Sequence, residues 1–252
     1  TYISTMHYLM EACAENGKTM MVLDRPNPNG DYIDGPILEE AHQSFIGMHP
    51  IPIVHGLTVG ELALMINGEN WLAGGAPCEL EVVPMENYHH QLKYEPPVKP
   101  SPNLPNYQSI RLYPSLCFFE RTPISLGRGT EFPFQVYGHP GFDQGLFQFT
   151  PTAIKGMDNN PKHKDQPCYG WDLREVEAPK LTLRYLIEAY QLIEDKGDFF
   201  MNGFNLRSGN SELAEQLKQG LSEEEIKQSW NPGLERYRQV RSNYLLYPDT
   251  AP

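Results

Sequence analysis

Apolar positions recur every three to four residues from Tyr2 to Asn16, at Ile3, Met6, Leu9, Met10 and Cys13, and Gly17 follows. That spacing predicts an amphipathic helix with a glycine stop. Thr19 to Leu23 is an unbroken apolar run, the pattern of a strand buried on both faces of a parallel sheet. Thr58 stands three residues before Glu61, a capping box, and opens a helix through Leu62, Ala63, Met65 and Ile66 to Gly68. Leu80 to Val83 is a second strand, closed by Pro84, and Leu116 to Phe119 a third. Helix alternating with strand predicts a parallel sheet in an α/β core, with its loops gathered at the strands' C-terminal ends.

After Gly145 the pattern changes. Leu146 to Thr150 alternates like an exposed strand, and Leu173 to Val176 reads as another. Leu181 to Asp195 is an amphipathic helix with Leu183, Leu186, Ile187, Tyr190 and Ile193 on one face. Shorter helices are predicted at Ser211 to Gln219 and at Ser222 to Trp230, the latter with Ser222 and Glu225 at capping-box spacing. Leu234 to Leu246 is the last helix. The expected organisation is an α/β domain over residues 1–144 and a smaller α+β domain over residues 145–252.

Composition narrows the functional classes. A chain of 252 residues with 40% hydrophobic residues, 14 Tyr and 11 Phe packs as a globule. The formal charge of −12 excludes the basic face that a nucleic-acid groove needs. No apolar run reaches the eighteen residues of a membrane span. Cys13, Cys78, Cys117 and Cys168 are far apart and form no paired ligand motif, which points to buried free thiols and away from a zinc ribbon. His89 and His90 lack a further ligand at metal spacing, so neither a metal nor another cofactor is expected. The chain opens at Thr1-Tyr2-Ile3, inside a helical pattern and without an initiator methionine, which reads as a fragment or a processed form.

Four polar loops then stand out. They are Asp24-Arg25-Pro26-Asn27 after the first strand, His55-Gly56 before the capped helix, Ser101-Pro102-Asn103-Leu104-Pro105, and the stretch from Glu120 through Ser125 and Arg128 to Thr130. Loops of this kind, after apolar strands, are where α/β folds place ligands. Gly127-Arg128-Gly129 is too short to cradle a diphosphate, which argues against a nucleotide-binding Rossmann protein.

In their order along the chain, Leu23-Asp24-Arg25-Pro26-Asn27-Pro28, the segment from His55 to Ala63, Ser101 to Pro105 and Gly127-Arg128-Gly129-Thr130 resemble the NamZ-type exo-β-N-acetylmuramidases, glycosidases of peptidoglycan recycling. The resemblance runs to the closing Tyr244-Leu245-Leu246-Tyr247. It implies a Rossmann-like domain, here without its first strands, joined to an ancillary domain, with the active site in the cleft between them. It implies release of terminal non-reducing N-acetylmuramic acid, muramic-acid-containing saccharides as partners, and a periplasmic or secreted location in a bacterium. In the family a Pro-Glu-His-Gly motif, whose glutamate is the favoured catalytic carboxylate, precedes the first residue of this chain. The missing N-terminal segment is therefore an expected partner. Arg121 and Leu126 stand where the family often has Gly and Glu.

Within that resemblance, glycoside cleavage asks for a proton donor and a group supporting an oxocarbenium-like transition state. Glu120, at the end of an apolar run, is the candidate acid; a salt bridge to Arg121 or Arg128 is the competing role. His55 is a candidate proton relay or hydroxyl ligand, or a holder of its own turn. Arg128 suits the lactyl carboxylate, with Arg25 as its competitor. Asn27 and Asn103 suit sugar hydroxyls and the acetamido group. Asp24, Glu61, Ser101, Ser125 and Thr130 complete the candidate substrate-binding set, with Asp24 equally placed to hold its own turn and Glu61 to cap its helix.

Overall fold

Packing begins with α1 (Tyr2–Glu15), which turns Met6 and Met10 inward and leaves Leu9 at the surface. The computed structural model describes residues 1–177 and 180–250. It divides into two units, Thr1–Tyr94 with Ser229–Pro252, and Glu95–Gln228. The change of pattern near Gly145 falls inside the second of these.

In the first unit β1 (Met20–Leu23) is followed by β2 (Asp34–Ile37), β3 (Pro52–Val54), α2 (Val59–Gly68) and β4 (Leu80–Val83). β1 and β4 pair in parallel, Met20 opposite Leu80 and Leu23 opposite Val83. The two predicted strands thus share one small parallel sheet. β2 and β3 form a separate antiparallel pair. Leu62, Ala63, Met65 and Ile66 of α2 are fully buried with Met10, Val22 and Leu57 in a common core.

The expectation that β1 is buried on both faces is corrected. Val22 is buried, but Met21 is 57% and Leu23 66% exposed. β4 is the neighbour of β1, and α1 and α2 cover one face of the pair. The pleat alternates side chains, so Met20, Val22, Leu80 and Val82 take the core side and Met21, Leu23 and Val83 the other.

The second unit opens with α3 (Tyr107–Leu116), where Asn106 and Ser109 exchange a capping box. The chain then tightens into a 3-10 turn, Cys117–Arg121. The strand predicted at Leu116 to Phe119 is therefore a helix end. All four residues are buried, and a run apolar on every side carries no periodicity to separate a strand from a buried helix. β5 (Val136–His139), β6 (Phe147–Phe149) and β7 (Cys168–Asp172) form an antiparallel sheet in the order β5-β7-β6. The alternation at Leu146 to Thr150 becomes β6, whereas the strand expected at Leu173 to Val176 lies earlier, as β7.

Helices α4 (Arg184–Leu192), α5 (Phe204–Ser208), α6 (Leu213–Lys218) and α7 (Glu223–Arg241) complete the chain. Ser222 and Glu225 make the predicted reciprocal cap. The two helices expected after it are one, α7, which continues through Pro232. A proline removes one backbone bond, but Ile226, Trp230, Leu234, Tyr237 and Arg241 form one buried stripe that holds the helix together. Among the described residues no helix is long and apolar enough to cross a membrane. All four cysteines are free; Cys13 is half-buried and the others buried.

Candidate functional site

In the first unit, the loop after β1 and the N-terminus of α2 are built around two buried carboxylates. Asp24 Oδ1 accepts from the backbone N–H groups of Arg25 at 2.9 Å and Gly60 at 2.7 Å. Its Oδ2 accepts from Thr58 Oγ1 and Tyr247 Oη, both at 2.7 Å. Through the Gly60 N–H, Asp24 thereby meets one of the orphan donors that every helix start leaves. Gly60 permits the approach, because a Cβ there would stand 2.6 Å from Val82 Cγ1 and 2.7 Å from the Asp24 carboxyl carbon.

Glu61, fully buried, accepts from Thr58 N–H at 2.9 Å, from His90 Nε2 at 3.1 Å and from Leu246 N–H at 2.9 Å. Burial opposes its charge, but the bonds from His90 and the two backbone groups outweigh burial and hold its carboxyl below the usual range. Glu61 completes the capping box and also anchors the C-terminal segment.

Asn27 bridges the two loops. It donates to the Leu57 carbonyl at 2.9 Å and accepts from Asn29 N–H. His55 Nδ1 accepts from Leu57 N–H at 3.1 Å, which places its proton on Nε2. Burial first, then the Arg241 guanidinium, lowers the His55 pKa to about 4 against the pull of Glu61, so the ring is neutral. Arg25 is exposed. Four of the five sequence candidates of this unit, Asp24, Asn27, His55 and Glu61, thus converge on the start of α2.

The sequence reading missed further contributors, besides Tyr247 and His90. Tyr237 donates to the His55 carbonyl at 2.6 Å, and Arg241 donates to the Gly56 carbonyl while gripping Asp249 through two nitrogens. His49 bonds His7 at 2.9 Å, His7 bonds Glu11 at 3.0 Å, and the His49 ring stacks on Trp71. His49 is lowered to about 4, by burial first and then by His7 and His55.

In the second unit, Glu120 is the hub. Its Oε1 accepts from Arg128 Nη2 at 2.6 Å and its Oε2 pairs with Arg207 Nη1 at 2.9 Å. The Arg128 guanidinium also lies over the Phe134 ring, 4.9 Å from its centre. Of the two roles open to Glu120 from sequence, the ion pair with Arg128 is present; its other oxygen is taken by Arg207, not by Arg121.

Ser125 and Thr130 shape the loop between them. Ser125 Oγ accepts from Gly127 N–H, and Thr130 Oγ1 donates to the Gly127 carbonyl at 2.6 Å. Gly129 has φ +80°, and its carbonyl accepts from Thr152 at 2.8 Å. A side chain there would be both strained and blocked by Thr152 and Pro161.

Lys162 caps the same loop from below, its ammonium bonded to the carbonyls of Phe119, Thr122 and Ile124. Burial lowers its pKa to about 8, with Glu120 pulling up and Arg128 and Arg121 pushing down. His163 adds a bond to the Pro123 carbonyl at 2.5 Å.

Ser101 Oγ accepts from Asn103 N–H at 3.2 Å, and Asn103 donates to the Met157 carbonyl at 3.3 Å. The buried side-chain oxygen of Asn103 has no donor. Among the described residues no three His, Cys, Asp or Glu side chains gather as metal ligands. Arg207 and Lys162 gave no sequence signal, since each lies about forty or more residues from the loop it serves in an otherwise ordinary polar stretch.

Residues 1–108 match the model of the N-terminal part of the exo-β-N-acetylmuramidase NamZ, and residues 111–247 the model of its C-terminal part. The chain is 36% identical to the peptidoglycan β-N-acetylmuramidase NamZ of Bacillus subtilis (strain 168), over 98% of this chain and 64% of that protein. It therefore spans less than two thirds of that relative's length.

Two solved structures of DUF1343 family proteins from Bacteroides fragilis NCTC 9343 are similar. One has a TM-score of 0.96 at 46% identity, over 99% of this chain and 72% of the other. The second has a TM-score of 0.84 at 30% identity, over 98% and 71%. Consecutive matches to the N-terminal and the C-terminal model of one family, together covering nearly the whole chain, place this protein in the NamZ exo-β-N-acetylmuramidase family.

Proposed function

We propose that this chain serves a glycosidase that releases terminal non-reducing N-acetylmuramic acid from peptidoglycan fragments, in the periplasm or outside the cell. The parallel β1–β4 pair with its helices is read as part of a Rossmann-like sheet. The observation that carries the functional reading is the pair of guanidiniums on Glu120 within a family of muramidases. Muramic acid differs from glucosamine by a lactyl carboxylate, and a guanidinium fork is the side chain suited to it. Asn103, with an unpaired side-chain oxygen, suits an amide or hydroxyl donor of the same sugar.

One observation favours a second reading, a saccharide-binding module without turnover. Asp24, Glu61 and Glu120 are each engaged on both oxygens by internal donors, so none of these carboxyls stands ready as the acid. In the first reading, Glu120 holds the binding arginines and His55, with its proton on Nε2, is a hydroxyl ligand.

The test is Arg128→Lys. The substitution keeps the charge and loses the fork, and should weaken N-acetylmuramic acid binding roughly tenfold while leaving N-acetylglucosamine unchanged. Equal weakening for both sugars would assign Arg128 to loop structure. Turnover of a chromogenic N-acetylmuramide by the full-length protein would decide for the enzyme, and binding without turnover by that protein for the module.

A further inference from the structure

Arg207 was not legible as a site residue, and its geometry goes beyond that of a simple ion pair. Glu120 offers one oxygen to each of two arginines, Arg128 at 2.6 Å and Arg207 at 2.9 Å. A guanidinium carries five donors in a planar fork, and Glu120 takes one from each. The Nε–H of Arg207 is buried and has no acceptor. The side chains are 32%, 27% and 12% exposed for Arg128, Arg207 and Glu120, so the group reaches the surface.

The electrostatics point the same way. Lys162 feels the charges of Glu120, Arg128 and Arg121, so around one carboxylate stand several cations in a chain of net charge −12. Arg128 and Arg207 less Glu120 leave a net positive charge even before Lys162 and Arg121 are added, which suits an anion. The Phe134 face beneath Arg128 and the turn carrying Glu120 fix the two forks relative to each other. α5 holds Arg207 in place. It begins after Gly203 and ends at Gly209, both in the left-handed region, and is joined to the loop through Met201 N–H and the Arg121 carbonyl at 3.0 Å.

We propose that Arg207 is a specificity-determining residue, which with Arg128 forms a two-guanidinium seat for the single carboxylate of a sugar acid, and that Glu120 is the spacer that presents both forks. This rests on the muramic acid reading and adds a second, sequence-distant reader to it. A charge-assisted pair of this kind corresponds to about ten- to hundredfold in affinity.

The experiment measures binding of N-acetylmuramic acid, its methyl ester and N-acetylglucosamine to the full chain and to Arg207→Gln by calorimetry. The native chain is expected to prefer the acid to its ester. Arg207→Gln should lose ten- to hundredfold for the acid and stay within about twofold for the ester and for N-acetylglucosamine. If the native chain prefers the acid and Arg207→Gln keeps that preference, the inference is overturned while the muramic acid reading stands. If the native chain binds acid and ester equally, the reading itself fails and the inference with it. Should Arg207→Gln not fold, Arg207→Lys preserves the charge on Glu120, and it must lose about tenfold for the acid alone; full retention of the preference overturns the proposal.

Discussion

Asp24→Asn changes one atom and should unsettle the first unit. The native carboxylate accepts four bonds in a buried place, two from backbone N–H groups and two from hydroxyls. The amide keeps one oxygen for Gly60 and Arg25. Its nitrogen then faces Thr58 and Tyr247, whose oxygens already accept from Glu61 N–H and Met85 N–H but have a lone pair left once their own protons turn away. No contact is lost outright, yet all four bonds cease to be charge-assisted, which roughly halves each. Four such losses do not add fully. With the lost interaction of a charge with a helix N-terminus, about 0.3–1 kcal/mol, the expected cost is about 2–4 kcal/mol. Asp24→Ala strands the two backbone donors and should cost more, about 4 kcal/mol or above. Urea unfolding followed by circular dichroism measures the loss, and faster hydrogen exchange across residues 58–68 locates it. A stability change in Asp24→Asn of under about 0.5 kcal/mol would refute the view that this carboxylate organises the start of α2.

His49 and His55, lowered from 6.5 to about 4 when folded, protonate sooner in the unfolded chain. Their contribution is whole above pH 6.5 and is lost as pH falls toward 4, about 2 kcal/mol at pH 5 for His49; a His49→Gln chain whose denaturation midpoint falls as steeply between pH 7 and 5 as the native one would contradict this. Gly60→Ala would press a methyl group against Val82 and Asp24 and should cost about 2 kcal/mol, read as a lower melting temperature; an unchanged one would show that the turn can shift freely. The outward face of β1 and β4 exposes Met21, Leu23 and Val83, so the 252-residue chain should associate with rising concentration, and Leu23→Lys should lessen it in light scattering; a monodisperse native chain would count against it.

Some elements were plain in the sequence because two independent signals agreed. The α2 helix had both a capping box and a continuous apolar stripe, and it forms over Val59–Gly68. β4 had an apolar run and a closing proline. Leu116 to Phe119 had hydrophobicity alone, and a fully buried segment hides its own period. Pro232 is a strong local stop, yet a buried stripe extending on both sides of it overrides a single missing bond. The faces of β1 depend on what packs against it, which no window of five residues contains.

The candidate site divides in the same way. Residues adjacent in sequence were found together, such as Asp24 with Asn27 and Glu120 with Arg128. Arg207, Lys162 and Tyr247 act across 40 to 223 positions, and a side chain that completes a loop from that distance leaves no mark near it.

The C-terminal segment has a consequence for synthesis. Leu246, Tyr247 and Pro248 bond Glu61, Asp24 and His90, so the loop after β1 and the start of α2 wait for residues translated much later before their polar interior closes. The second unit, Glu95–Gln228, is one continuous stretch and can fold while that wait lasts. Over roughly ten to fifty seconds at ordinary elongation rates, α2 would emerge with Asp24 and Glu61 only partly satisfied. The vulnerable interval of this protein is therefore set by translation of the intervening unit, and a pause placed between the codons for Glu61 and Leu246 would lengthen it.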